Sequence, residues 1–316
     1  MKKITILIPA YNEEESLPFL YEKLSSVASG LSNYEWEFLF INDGSKDNTL
    51  EQLQNLRAND KRVNYVDLSR NFGKEIAMLA GFDFATGDCM IILDADLQDP
   101  PELIPAMIKY WEEGYDDVYA KRRTREGESF MKKFTSKLYY AILQKMTSIP
   151  IQRDTGDFRL LDRKCIEALK QIRESQRYTK GMFSWIGFNK KELLFDRAPR
   201  VAGTTKWNYW KLCNLAIEGI TSFTITPLRV ASVMGIIVSL IAFTYMFVTV
   251  LRTLIWGNPV AGYPSLMAVM LFLGGIQLLF LGIQGEYLGR IFNETKNRPV
   301  YFVASVNKEK EENLNK

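Results

Sequence analysis

The stretch Cys89-Met90-Ile91-Ile92-Leu93-Asp94-Ala95-Asp96-Leu97-Gln98-Asp99 decides how this chain folds. Five apolar residues in a row are too few for a helix and read as a buried strand. The strand stops on two carboxylates separated by one alanine, followed by an amide, a third carboxylate and Pro100-Pro101. Moving back toward the N-terminus, the same pattern recurs three times. Ile4 to Ile8 is a β-branched run ending at Pro9, and a helix over Glu13–Ser29 follows, with acidic residues in its first turn. Trp36 to Asn42 is a strand stopped by Asp43-Gly44-Ser45, with a helix from about Asn48 to Asn59. Val63 to Asp67 is the third strand, and a helix from about Lys74 to Ala85 leads into the fourth.

Strand alternating with helix at this spacing predicts an α/β fold with a doubly wound, mostly parallel sheet. Ligands of such sheets bind outside the carboxyl ends of the strands. The polar clusters fall at those ends: Tyr11-Asn12-Glu13, Asn42-Asp43-Gly44, Ser69-Arg70-Asn71 and Asp94-Ala95-Asp96. Four polar strand ends read as one site. Neither a dinucleotide-binding glycine fingerprint nor a P-loop lysine motif follows the first strand, which removes the usual support for hydride transfer or P-loop phosphate chemistry.

Composition narrows the chemistry. The 316 residues include 40 Lys and Arg against 37 Asp and Glu, a formal charge of +3, so the chain is not a strongly basic nucleic-acid binder. Histidine is absent, which excludes His general bases and His metal sites. Oxygen ligands such as Asp94, Asp96 and Gln98 suit Mg²⁺ or Mn²⁺, which bind one or two carboxylates together with substrate phosphates. The plain alternative for a lone Asp-x-Asp is a turn or helix cap. Cys89, Cys165 and Cys213 are widely spaced and odd in number, consistent with a reducing environment.

The apolar residues concentrate near the C-terminus. Val230 to Leu251 and Pro264 to Gly285 carry no charged side chain, and each has the roughly 20 residues a spanning helix needs. Lys206, Lys211 and Arg229 precede the first run, Arg290, Lys296 and Arg298 follow the second, and the connecting loop has no Lys or Arg. The positive-inside rule then puts both termini in the cytoplasm and the loop outside. Met1-Lys2-Lys3 enters the first strand without the apolar core of a signal peptide. The resulting plan is a cytosolic domain over residues 1–228, two transmembrane helices within 229–289 (about 230–254 and 264–286), and a cytosolic tail over 290–316.

Several motifs in order carry a resemblance. Ile8-Pro9-Ala10-Tyr11-Asn12-Glu13-Glu14, Ile41-Asn42-Asp43-Gly44-Ser45 and Asp94-Ala95-Asp96-Leu97-Gln98-Asp99 resemble family-2 glycosyltransferases with a GT-A fold. Asp154-Thr155-Gly156-Asp157-Phe158-Arg159-Leu160, Ser184-Trp185-Ile186-Gly187-Phe188 and Arg200-Val201-Ala202-Gly203-Thr204-Thr205-Lys206-Trp207, with the two C-terminal spans, resemble polyprenyl-phosphate glycosyltransferases. These are the bactoprenol glucosyltransferases and their dolichol-phosphate mannose synthase cousins. Thr205 stands where that family more often has Ser; both supply a hydroxyl.

The resemblance implies roles. Pro9, Tyr11 and Glu13 would line the base and ribose of a nucleotide sugar, and Asp43 would contact the base. Asp94 would lie near the ribose, sugar and metal, while Asp96 and Gln98 would hold Mg²⁺ or Mn²⁺ on the diphosphate. It also implies UDP-glucose as donor, undecaprenyl phosphate as acceptor, inversion at the anomeric carbon, a cell-membrane location and a homo-oligomer, a tetramer in relatives. For Tyr11 and Asp43 the plain alternatives are a packed aromatic and an Asx turn. A different donor sugar, such as GDP-mannose or an amino sugar, is the nearest alternative. A non-catalytic nucleotide-sugar-binding subunit is the alternative of another class. A processive glycan synthase is disfavoured, because Gln176-Arg177-Tyr178 does not match its Gln-x-x-Arg-Trp segment.

Asp157 takes the family's catalytic-base position. A lipid monophosphate has a second pKa near 6, so at neutral pH it is already an anionic nucleophile. Orienting the acceptor or stabilising charge at the anomeric carbon then matters more than removing a proton. An Asp157–Arg159 surface pair is the plain alternative. Lys121-Arg122-Arg123-Thr124-Arg125 opens a basic run that continues to Lys132-Lys133. Arg122, Arg125, Ser129, Arg200 and Lys206 are the candidates for gripping the lipid phosphate and the diphosphate. Helices at about 130–146 and 207–223 have the basic, amphipathic character of interfacial helices.

Overall fold

The structure, a computed structural model, describes residues 1–123, 155–195, 226–256 and 262–307. Arg125, Ser129, Arg200, Lys206 and the two expected interfacial helices lie outside the described residues. The chain divides into two units, Met1–Ala216 together with Pro299–Lys316, and Ile217–Arg298.

The first unit is built on an eight-stranded sheet of order β7-β5-β6-β4-β1-β2-β3-β8. Its parallel half matches the sequence reading closely: β1 (Lys3–Ala10), β2 (Glu35–Asn42), β3 (Val63–Leu68) and β4 (Cys89–Ile92). Helices α1 (Leu17–Gly30), α2 (Thr49–Asn59) and α3 (Lys74–Phe84) connect them. The first helix starts four residues later than the acidic run indicated. Glu13 to Ser16 instead forms a turn in which Ser16 and Leu17 donate their backbone N–H groups to the Glu13 carbonyl.

One face of the parallel strands presents Ile4, Ile6, Ile8, Phe38, Phe40 and Ile91, and Leu17, Leu20 and Leu24 of α1 pack there. Helix α3 covers the other face at very short range. A Cβ placed on Gly81 would meet the Leu7 side chain at 2.2 Å, so only glycine lets the helix lie this close to β1. That approach fixes where the N-terminus of α3, and Lys74 on it, sits at the carboxyl end of the sheet.

Beyond β4 the sheet turns mixed. After a short turn, α4 (Ile104–Glu112) leads to β5 (Asp117–Arg122); β6 (Thr155–Asp162), α5 (Arg163–Gln171), α6 (Thr179–Trp185) and β7 (Lys190–Phe195) complete this side. Strand β6 runs antiparallel to both β4 and β5, while β7 is parallel to β5. Arg159 of β6 is fully buried. Its Nη1 donates to Asp117 Oδ2 at 3.0 Å, and its guanidinium lies 3.8 Å from the centre of the Phe183 ring. The Asp157–Arg159 surface pair is therefore corrected: Arg159 serves the interior, and a buried cation is retained where a carboxylate and an aromatic face meet it.

The C-terminal segment read as a tail also contributes to the sheet. Strand β8 (Val303–Val306) pairs antiparallel with β3 at its edge. Tyr301 Oη donates to Asp83 Oδ2 at 2.6 Å, and Arg173 grips the same carboxylate with two 2.7 Å hydrogen bonds. The β-branched and aromatic run Val300-Tyr301-Phe302-Val303 was the available signal.

The second unit is a pair of long helices, α7 (Thr226–Trp256) and α8 (Tyr263–Thr295). Helix α7 exposes Val230, Val233, Ile236, Ile237, Leu240, Ile241 and Phe243 along one broad face, and from Val230 to Leu251 no face carries a charged side chain. A helix apolar on every side is not a water-facing surface helix. Among the described residues one stretch, Thr226–Tyr245, is long and apolar enough to cross a membrane.

Candidate active site

Because β3-β2-β1-β4 are adjacent and parallel, their carboxyl ends open on one cleft. It has a volume of about 260 Å³ and is lined by Pro9, Ala10, Tyr11, Glu13, Asp43, Asn71, Gly73, Lys74, Ala77, Asp94, Ala95 and Asp96. Pro9, Tyr11, Glu13, Asp43, Asp94 and Asp96 thus share one wall-to-wall space. Tyr11 is 39% exposed, so it faces the cleft and is not a packed aromatic.

The loops forming the cleft hold one another. Asn12 takes a left-handed conformation (φ 54°), which Asn tolerates; its N–H donates to Ser45 Oγ and its Oδ1 accepts from Lys46 N–H. Glu13 N–H donates to Thr49 Oγ1 at 2.9 Å. Asp43 is buried, and its two oxygens accept from Phe72 N–H at 2.7 Å and Gly73 N–H at 2.9 Å. This is a cross-loop clamp between β2 and the start of α3, which replaces the local Asx turn. Burial raises the Asp43 pKa against the pull of those N–H groups and of Arg70. Gly44 sits beneath the clamp at φ 63°, where a Cβ would lie 2.4 Å from the Arg70 carbonyl carbon.

The acidic motif after β4 is strained. Leu97, a buried γ-branched residue, has φ 58°, a region such side chains rarely occupy. The turn it makes lets Gln98 N–H donate to Asp96 Oδ1 at 3.2 Å and buries Gln98 and Asp99. Burial, then the Asp94 charge, push the Asp99 pKa up to about 7, while Lys74 and Arg122 oppose the shift. The Glu13 pKa is also raised, first by burial and then by Asp96, Asp94 and Asp47, although its bond from Ser16 works the other way. Carboxylates therefore outnumber cations here. Among the described residues, no group of three or more Asp, Glu, Cys or His side chains forms a ready-made metal centre. Two carboxylates and an amide oxygen nevertheless match the hard, partial donor set that Mg²⁺ or Mn²⁺ completes with phosphates.

Lys74 is the residue that sequence reasoning missed. Its Nζ lies 2.6 Å from Asp94 Oδ1 and 2.5 Å from Asp157 Oδ2, bridging β4 to β6. Burial alone would lower its pKa, but Asp157 and Asp94 push it up. Asp157 itself is only 8% exposed, and its Oδ1 has no hydrogen-bond partner among the described residues. Burial would raise its pKa; the charges of Lys74 and Lys180 instead hold the carboxyl far below the usual range. Beside it, burial and the Asp157 charge raise the Glu75 pKa, and Glu75 Oε2 accepts from Thr179 N–H. The signal for Lys74 was its place: the first helical residue after Gly73, next to a polar strand end.

An α/β domain with this strand order, an acidic turn after its fourth strand and a C-terminal helical pair defines a class. Residues 5–170 match glycosyl transferase family 2, and residues 226–291 match the GtrB C-terminal hairpin. The chain belongs to glycosyl transferase family 2 and is a glycosyltransferase. It is 50% identical over 304 residues to an uncharacterized glycosyltransferase of Synechocystis sp., covering 96% of this chain and 95% of that protein. It is 45% identical over 306 residues to the prophage bactoprenol glucosyl transferase homolog of Escherichia coli, covering 97% and 100%. Among solved structures, glucosyl-3-phosphoglycerate synthase of Mycobacterium tuberculosis aligns with 18% identity and a TM-score of 0.46, over 70% of this chain and 76% of that one.

The clamp beneath the cleft predicts a specific weakness. Gly44→Ala should cost about 1–2 kcal/mol from its left-handed backbone alone, with more from the displaced Arg70–Asn71 backbone. Thermal unfolding of the purified protein should register the loss, and nucleotide affinity should fall with it. Gly30→Ala, whose Cβ meets nothing within 4 Å, should leave both unchanged.

Proposed function

We propose that this glycosyltransferase moves glucose from UDP-glucose onto undecaprenyl phosphate at the cytoplasmic leaflet of the cell membrane, with inversion and with Mg²⁺ or Mn²⁺. The observation that carries the reading is the convergence of Pro9, Tyr11, Glu13, Asp43, Asp94 and Asp96 on one cleft, in a chain 45% identical along nearly its whole length to relatives named bactoprenol glucosyl transferase.

The donor's base and ribose would lie against Pro9, Tyr11 and Glu13. Asp43 keeps acceptor capacity for the base beyond its two backbone bonds, since a carboxylate offers about four lone-pair sites. Asp94, Asp96 and Gln98 would hold the divalent ion, which neutralises charge building on the departing diphosphate. Arg122, close enough to Asp99 to act on its ionisation, would face the phosphates. Arg125, Ser129, Arg200 and Lys206 are assigned to the phosphates by the family motifs alone. An acceptor phosphate oxygen forms the new bond to the anomeric carbon as the bond to the diphosphate oxygen breaks, and the nucleoside diphosphate leaves with the electron pair.

Asp157 acts in this scheme as an ionised group that orients the acceptor and stabilises positive charge at the anomeric carbon. An effective general base has a pKa near the working pH. Lys74 and Lys180 hold that of Asp157 far below it.

The hairpin supplies the lipid side. Chain on both sides of the second unit belongs to the first unit, because β8 follows α8 and pairs with β3. A chain that leaves and rejoins one domain crosses the membrane an even number of times. That argument supports two spans, α7 and α8, with Arg229 and Arg290 toward the cytoplasm.

Four outcomes test the reading. Purified protein given UDP-glucose, GDP-mannose or an amino-sugar nucleotide with undecaprenyl phosphate should yield hexosyl lipid from UDP-glucose by mass spectrometry. Asp96→Ala should abolish the metal-stimulated part, and normal metal-stimulated turnover in that variant would defeat the metal assignment. Asp157→Asn should lower turnover on the order of 10²-fold, equally at pH 6.5 and pH 8.5, with donor binding retained; recovery at the higher pH would make it a proton acceptor instead. A cysteine placed at Asn258 should react with an impermeant thiol reagent in intact cells, while one at Asn307 should react only after lysis.

A further inference from the structure

The cleft's own cation is spent on holding two carboxylates together. Among the described residues its lining includes Glu13, Asp43, Asp94 and Asp96 but a single basic residue, Lys74. The Lys74 ammonium touches both oxygens of Asp94, at 2.6 and 2.8 Å, and Asp157 at 2.5 Å. Helix α3 is tied in place: Gly81 is packed on Leu7, and Asp43 clamps the N–H groups of Phe72 and Gly73 just ahead of it. The Lys74 side chain is 41% exposed at the cleft wall.

We infer that Lys74 is a placeholder cation: it occupies Asp94 in the empty enzyme, so that the divalent ion binds well only together with the nucleotide, and it stays with Asp157 afterward. The inference rests on the proposed assignment of Asp94 to the metal and donor. Three observations lead to it. Asp94 is already ion-paired, so a metal arriving alone must compete with a positioned ammonium. Among the described residues no group of three or more acidic, Cys or His side chains could hold a metal, so those residues by themselves supply an incomplete ligand set. A nucleoside diphosphate brings both the missing oxygen ligands and the negative charge that offsets the added cation. Lys74 is thus a positioning residue that couples metal to nucleotide, and linkage requires the coupling to be equal in both directions.

The test is a binding cycle with the full-length protein in detergent, using Mn²⁺ read by electron paramagnetic resonance, with and without UDP. Wild type should bind Mn²⁺ weakly alone and at least about fivefold more tightly with UDP, within the usual range of coupling between sites. Lys74→Met, which keeps the apolar stem, should bind Mn²⁺ alone roughly tenfold more tightly than wild type, and its coupling to UDP should shrink accordingly. Lys74→Arg should restore the weak binding. Lys180→Met removes a charge that acts on Asp157 without touching Asp94, and should leave Mn²⁺ affinity within about twofold. An unchanged thermal unfolding midpoint in Lys74→Met separates a gain at this site from carboxylates freed by a loosened fold. Unchanged or weaker Mn²⁺ binding in Lys74→Met, or an equal gain in Lys180→Met, would overturn the inference while leaving the site reading intact. A wild type that binds neither Mn²⁺ nor UDP would overturn the site reading and this inference with it.

Discussion

The arrangement of this enzyme turns on the crowding of negative charge where parallel strands end. Asp94 and Asp157 come from strands that run in opposite directions, β4 and β6, yet both reach the ammonium of Lys74. Two carboxylates this close to a shared point repel strongly in a partly dry site. Lys74 supplies the counter-charge between them and, with Lys180, holds the Asp157 carboxyl well below the usual range. Its position depends in turn on the closeness of α3 to β1, which only Gly81 permits, and on the Asp43 clamp at the helix start. Small residues and buried hydrogen bonds well away from the cleft's centre therefore decide its charge.

The two ends of the sheet treat buried polar groups in opposite ways. At the amino ends, Glu37 of β2 is buried and accepts from Thr5, Thr86 and Asn64, tying three neighbouring strands together. Each oxygen has a partner, so burial is compensated and the network serves stability. At the carboxyl ends, Asp157 Oδ1 has no partner among the described residues, Leu97 sits in a disfavoured conformation, and the Asp99 and Glu13 pKa values are raised by burial and by their neighbours. Strain and raised carboxylate pKa values gathered around the cleft mark a place kept ready for ligands.

The parallel half of the fold was legible because each strand is a short apolar run ended by a polar cluster, and the helices between them have clear boundaries. The cleft residues followed from the same logic, since strand ends in such a sheet must converge. What escaped was set by long-range contact. Lys74 looked like an ordinary helix-opening residue, and nothing local says that its ammonium reaches Asp157, far along the chain. Arg159 is a charged residue beside a carboxylate in sequence, yet its burial depends on Asp117 and Phe183 from other elements. Strand β8 was lost among polar neighbours that suggested a tail, and its pairing with β3 joins residues more than 200 positions apart.

That last pairing bears on how a polar cleft would serve a lipid acceptor. A phosphate carried on a long hydrocarbon chain is confined to a membrane plane, and a free soluble enzyme would meet it only by repeated weak collisions. A domain anchored by helices replaces that search with an encounter between two partners held at one surface, where effective concentration stands in for intrinsic affinity. The cleft can then spend its few contacts on the donor and on the reacting atoms, without having to grip the acceptor's tail. Here the chain enters the helical pair from the catalytic domain and returns to its sheet through β8, with Tyr301 fixed on Asp83 of α3. The helix that carries Lys74 at its start is thus held near its far end by the segment that follows the helical pair in the chain.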